Sequence, residues 1–163
     1  MTRTTPRPFN AGDYTAAPAQ ITKSRWIDAP IESVWSVVAD HGGMTRWVPM
    51  ISHVELTDTD DRGEYGEGCE RACQFGPDLL RESIPFWDPP YGYAYQIADM
   101  RLVRDHVAHL KLRERDGGTD VTWTQYFHPN ANVAMNFVSR KVMMPTVMTR
   151  ALKNLAKEVA LNQ

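Results

Sequence analysis

Between about Met50 and His128 the chain is punctuated by turn chemistry at short intervals: DTDDRG at 58–63, GPD at 76–78, DPP at 88–90 and DGG at 116–118. The pieces between are of strand length and fall near 50–57, 66–75, 79–87, 91–99, 103–114 and 119–128. Their connections are too short for helical crossovers, so each strand must run antiparallel to the next. This stretch is therefore an antiparallel meander.

The flanks complete the order. Up to about Pro18 the chain carries Pro6, Pro8 and Pro18 and few large apolar residues, little with which to offset its ordering entropy, and 1–18 reads as a flexible tail. AQITKSRWID at 19–28 has β-branched and aromatic character and makes a further strand, stopped by Ala29-Pro30. Pro30 and Glu32 suit a helix start, and Ile31, Val34, Trp35 and Val38 form one apolar stripe before Gly42-Gly43. GMTRWV then predicts a second short helix with Met44, Trp47 and Val48 inward, ended by Pro49. From about Asn132 to Leu161 no turn signal appears. Phe137, Val138, Met144, Met148, Leu152, Leu155 and Val159 recur at helical spacing, so a helix on the order of 40 Å closes the chain, bent near Pro145. The whole predicts an α+β domain over 19–163: a seven-stranded antiparallel sheet wrapped around a long C-terminal helix, with two short helices after the first strand.

Composition narrows the function. Among 163 residues, 18 Lys+Arg stand against 20 Asp+Glu, a net charge of −2 with no basic run, which argues against nucleic acid as a partner. No segment approaches the roughly 18 consecutive apolar residues of a spanning helix, and the first residues do not resemble a signal peptide, so a cytoplasmic protein without stable membrane insertion is expected. Cys69 and Cys73, on one strand, would sit about 13 Å apart and could not pair. The five histidines are scattered without metal-ligand spacing, and there is no nucleophile elbow, Walker loop or dinucleotide fingerprint, so neither a metal nor another cofactor is expected.

Strand alternation then proposes which side chains face the interior. On 66–75, Cys69, Arg71, Cys73 and Phe75 share a face; on the next strand Leu80, Glu82, Ile84 and Phe86 do. Inward Arg71 and Glu82 on antiparallel neighbours can be cross-strand partners. Such a pair can simply fix strand register. Alternatively it meets a ligand's polar end, or Glu82 acts as an acid/base. Tyr91, Tyr93, Tyr95 and Ile97 oppose Gly92, Ala94 and Gln96, and an inward Tyr95 needs a hydrogen-bond partner or a ligand atom. His106 shares a face with Ala108, Leu110 and Leu112, whereas His109 and Lys111 point away. Trp123 is placed inward with Val121, Gln125 and Phe127. Met135, Met143, Met144 and Met148 crowd the last helix, as adaptable cavity wall or as ordinary core, and Met44 and Trp47 would stand at the cavity mouth or its end.

The element order, with the stretches IDAPIESVWSVVAD, WVPMISHVEL, GEGCERACQFGPDLLRESIPFWDPPYGYAYQI and GGTDVTWTQYFHP, resembles the START-like (SRPBCC) helix-grip superfamily, in particular its polyketide cyclase/dehydrase branch, over about residues 19–160. The resemblance implies the helix-grip fold and an internal cavity between sheet and last helix that holds a small, largely apolar molecule. The family pattern also has Arg and Glu at the places of Arg71 and Glu82. Two functions follow as expectations. One is binding of a hydrophobic molecule such as a lipid, polyketide or aromatic, with Arg71, Glu82, Tyr93, Tyr95, His106, Trp123, Met144, Met148 and Trp47 around it. The other is a cyclase, aromatase or dehydratase in which Glu82, Tyr95 or His106 moves protons. Homodimerisation through a sheet edge or the last helix stays open as well.

Overall fold

A computed structural model describes residues 5–59, 65–130 and 132–163. The elements, in order, are β1 (Ala19–Ile27), α1 (Ile31–Val38), α2 (Met44–Trp47), β2 (Ile51–Asp58), β3 (Glu70–Phe75), β4 (Asp78–Asp88), β5 (Gly92–Ile97), β6 (Val103–Arg115), β7 (Gly118–Pro129), α3 (Val133–Val138) and α4 (Met144–Leu161). The strands form one antiparallel sheet in the order β1-β7-β6-β5-β4-β3-β2, with the two short helices between the edge strands β1 and β2. This is the expected α+β helix-grip arrangement. Most of the predicted turn at 58–63 lies outside the described residues.

The sheet's inner face closes on α4. Met148, Ala151, Leu152, Leu155 and Val159 lie on one side of that helix and are buried against Ile21, Ala108, Leu110, Leu112 and Val121 of the sheet and Ile31, Val34 and Val38 of α1. Fully burying each such side chain is worth about 1.5–3 kcal/mol. At Gly92 the chain crosses β6 so closely that a Cβ would collide with the Leu110 carbonyl, and φ is +137°, so only glycine fits. The closing helix is irregular where a bend was expected. Ser139–Met143 form a π-helical turn, in which the Met144 N–H reaches back to the Ser139 carbonyl. Pro145 follows immediately and has no N–H to continue the regular ladder.

Three expectations are corrected. The strand expected from residue 66 begins at Glu70, because Gly68 takes φ +89° and turns the chain there. Phe86, expected inward, is on the outer face. Register between β4 and β5 slips between Ser83 and Phe86, so three steps along β4 match two along β5 and the alternation inverts. Pro85, which cannot donate to the ladder, sits in that bulge. Trp87 thereby turns inward, against Trp35, His41 and Tyr93. The third concerns residues 5–18, read as a tail but found along the sheet's outer face. Phe9 stacks on His109 with ring centroids 3.9 Å apart and on Tyr14 at 5.5 Å, and together they cover Phe86, Ala94 and Val107. The Arg7 amide donates to Asp88 Oδ2 (2.6 Å), and its guanidinium lies over the Phe86 ring.

Candidate ligand cavity

Where α3 and the first turn of α4 leave the sheet, the interior is hollow. An outer chamber of about 510 Å³ is walled by Phe75, Leu79, Leu80, Met100, Leu102, Val103 and Phe127 from the sheet side and Met135, Met143 and Met144 from the helices. A smaller inner chamber of about 60 Å³ runs on toward Met44, Tyr95, Trp123, Val147 and Met148. Phe75, Leu80, Met100, His106, Gln125 and Met144 border both, so the two adjoin across these side chains. A wider groove of about 790 Å³ crosses the outer face of the sheet, but Glu70, Arg81, Ser83, Gln96 and Asp105 make its walls polar. It does not offer an apolar molecule a dry surface.

Two buried polar groupings stand at the deep side of the cavity. In the first, Arg71 and Glu82 face each other across β3 and β4, as direct register partners. Arg71 Nε donates to Glu82 Oε2 at 2.6 Å, and Nη2 lies 2.5 Å from the same oxygen as an ion-pair contact rather than an aligned hydrogen bond. Nη1 donates to His41 Nδ1 and, at 3.4 Å, to the Tyr93 hydroxyl. The guanidinium also lies over the Tyr93 and Tyr95 rings, 5.5 and 5.2 Å from their centroids. Burial is the largest single influence and works against the Arg71 charge, but the Glu82 carboxylate together with Tyr93, Cys73 and Tyr65 more than offsets it and holds the guanidinium protonated. Burial, with Arg71 beside it, lowers the His41 pKa to about 2, so this imidazole is neutral and its proton sits on Nε2. Burial, with the Glu82 carboxylate nearby, pushes the Cys73 thiol up to about 12.

The second grouping is a chain of neutral hydrogen bonds. A slip in register between Arg104 and Val107, with Asp105 at φ +55°, marks a bulge beside His106, which is buried at the inner face. The Ile97 N–H donates to His106 Nδ1 at 3.3 Å, so the His106 proton is on Nε2, which donates to Gln125 Oε1 at 2.6 Å. Gln125 Nε2 in turn donates to the Tyr95 hydroxyl at 3.1 Å. Burial lowers His106 to about 4 and raises Tyr95 well above the usual phenol range, so both are neutral at pH 7.

The named residues therefore divide. Glu82, Tyr95, His106, Trp123, Met144 and Met148 border the cavity. Arg71, Tyr93 and Trp47, expected around the ligand, border neither chamber. Arg71 and Tyr93 stand in the ion-pair grouping, and Trp47 packs edge-on to Trp123 with centroids 6.4 Å apart. Sequence reasoning gave Gln125 no role beyond its place on the inner face and passed over His41. Gln125 alternates with Trp123 and was assignable to the inner face, whereas His41 follows a helix end and only the tertiary fold turns it toward Arg71. Among the described residues no group of three His, Cys, Asp or Glu gathers as a metal site.

A single sheet gripping one helix around a hollow, largely apolar interior defines a START-like helix-grip protein. Residues 18–160 match the family described as polyketide cyclase / dehydrase and lipid transport, and the chain belongs to it. A solved protein from Thermobifida fusca is similar at 26% identity and TM-score 0.68, over 85% of this chain and 91% of that one. A START superfamily protein from Mycobacterium smegmatis shares the fold at TM-score 0.69 and 10% identity, over 87% and 99% of the respective chains. A protein from Thermus thermophilus does so at TM-score 0.70 and 16% identity, over 90% and 99%. No curated protein matches the chain. Among the described residues no helix is long and apolar enough to cross a membrane.

Proposed function

We propose that this protein binds a small hydrophobic molecule, of lipid, polyketide or aromatic type, in the cavity between its sheet and C-terminal helix. The observation that carries this reading is the largely apolar space of about 510 Å³ adjoining the inner chamber, walled in part by methionines whose flexible thioethers adapt to different apolar shapes. Its volume is in the range of small-molecule sites. Native mass spectrometry of the protein purified from its own host tests it. The expected result is a co-purified apolar compound, released on denaturation; an empty protein that also fails to bind an environment-sensitive apolar dye would overturn it.

A second reading, cyclisation or dehydration of a polyketide-like chain, is favoured by one feature: the His106–Gln125–Tyr95 chain holds a phenol at the cavity wall with its own proton uncommitted. In an aldol-type closure the enol carbon of the chain would attack a ketone carbon, the C=O π bond breaking as Tyr95 gives its proton to the oxygen, and the proton released from the enol oxygen would restore the phenol. Turnover of linear polyketide surrogates, lost in Tyr95→Phe and kept in Lys153→Ala on the exposed side of α4, is the result expected of an enzyme; no turnover in the wild type removes this reading.

A further inference from the structure

Hydrogen-bond accounting in the inner chamber shows what kind of polar group it is built to receive. The acceptors on its wall are largely engaged: Glu82 Oε2 by Arg71, Gln125 Oε1 by His106, and His106 Nδ1 by the Ile97 N–H. Two donors are not. The Tyr95 hydroxyl accepts from Gln125, but its own proton meets no acceptor among the described residues, and the buried Trp123 Nε1–H has no partner either. Both side chains line the same chamber, and both are more than nine-tenths buried. A buried donor left unpaired costs free energy that a ligand acceptor would recover.

Charge settles the rest. The buried cation among the described residues, Arg71, is already matched by Glu82, with Nη2 against the carboxylate as an ion-pair contact and Nη1 donating to His41 and Tyr93. An ionised carboxylate entering the chamber would find no free counter-charge, and burying it so would be costly. An ammonium or another obligate donor would meet the Tyr95 and Trp123 protons donor to donor. A ketone, ester or amide oxygen needs only donors.

We infer that the inner chamber recognises a neutral carbonyl oxygen at the end of an otherwise apolar molecule, with Tyr95 Oη–H and Trp123 Nε1–H as its donors. This rests on the binding reading above and narrows its ligand class: fatty-acid anions and plain hydrocarbons become poorer ligands than a carbonyl compound of the same length.

Three nine-carbon probes test it: methyl heptyl ketone, nonane and nonanoate, each competing at pH 7.5 with a bound apolar dye. The ketone is expected to bind about tenfold tighter than nonane, the equivalent of about 1.4 kcal/mol and of one net hydrogen bond, and tighter than nonanoate. Tyr95→Phe and Trp123→Phe should each shrink that margin while leaving nonane within about twofold of wild type. Infrared spectra of the carbon-13 ketone bound to the wild-type protein give an independent readout, a carbonyl stretch lowered relative to the ketone in hexane. That measurement stands even if either variant fails to fold. Equal binding of ketone and nonane, an unshifted carbonyl, or nonanoate as the tightest probe would each overturn the inference while leaving the cavity reading intact. If none of the three displaces the bound dye, the inference falls, while the cavity reading falls only if the dye itself does not bind.

Discussion

Arg71 is the residue on which the interior most depends, because its charge is buried with a single carboxylate to balance it. Removing one partner of such a pair leaves the other charge unpaired, at a cost of about 3–5 kcal/mol, whereas replacing both by apolar groups is often close to neutral. Arg71→Met is therefore expected to lower the unfolding free energy by about 3–5 kcal/mol, and Arg71→Met/Glu82→Leu to recover most of that loss. Urea unfolding of the two single variants and the double variant measures the coupling directly, and strictly additive losses would show that the pair does not act as a unit. His106 supplies a second prediction at this scale. Its pKa is about 4 in the folded protein against an ordinary value of 6.5, so between these values the unfolded chain binds more protons than the folded one. Stability from this group is complete above about pH 6.5 and falls as the pH drops toward 4, by an amount on the order of 3 kcal/mol. His106→Gln keeps an Nε2–H donor but cannot titrate, so its stability between pH 7 and pH 4 should decline less steeply than that of the wild type. Parallel pH curves for the two proteins would show that His106 is not buried in its neutral form.

At the scale of elements, the N-terminal segment contributes more than its composition announces. Phe9 is the centre of the small cluster it builds on the outer face, touching Tyr14, Phe86 and His109. Phe9→Ala should cost about 1–2 kcal/mol, the value of a partly buried aromatic, and should speed amide exchange in β5 and β6 beneath it. A loss below about 0.3 kcal/mol by chemical denaturation would mean that the segment lends the sheet no stability. This element also shows where sequence reading ends. The meander was legible because turn residues recur at strand spacing and side chains alternate, and the same alternation put Arg71, Glu82, Tyr95, His106 and Trp123 on the inner face. Phe86 was not legible, since a bulge inverts parity and its position depends on the cross-strand register of β5, which no single strand encodes. Nor was His41, whose direction depends on how α1 and the following turn dock on the sheet. For residues 5–18, three prolines and few large apolar groups described the segment correctly, yet two aromatics suffice when a complementary apolar patch waits on the sheet.

For the whole molecule, the hollow beside α4 is a stability deficit, because atoms lining a void lack partners on one side. The helix reflects this division: Leu152, Leu155 and Val159 fill the gripped end completely, while Met143 and Met144 stand at the open one. A ligand that fills the space binds only the folded state and raises its stability by mass action, by about 2.7 kcal/mol at one hundred times its dissociation constant. A side chain grown into the same space should give part of that gain permanently and forfeit the ligand's share. Met144 borders both chambers and is half-buried, so Met144→Trp has room to extend into the cavity rather than into packed core. Its melting temperature without ligand is expected to equal or exceed that of the wild type, while the upward shift produced by an apolar compound should disappear. Differential scanning calorimetry of both proteins, with and without the compound, separates the outcomes. If the variant still shows the full ligand shift, the molecule binds elsewhere, and the groove on the outer face between the N-terminal segment and the sheet becomes the site to examine.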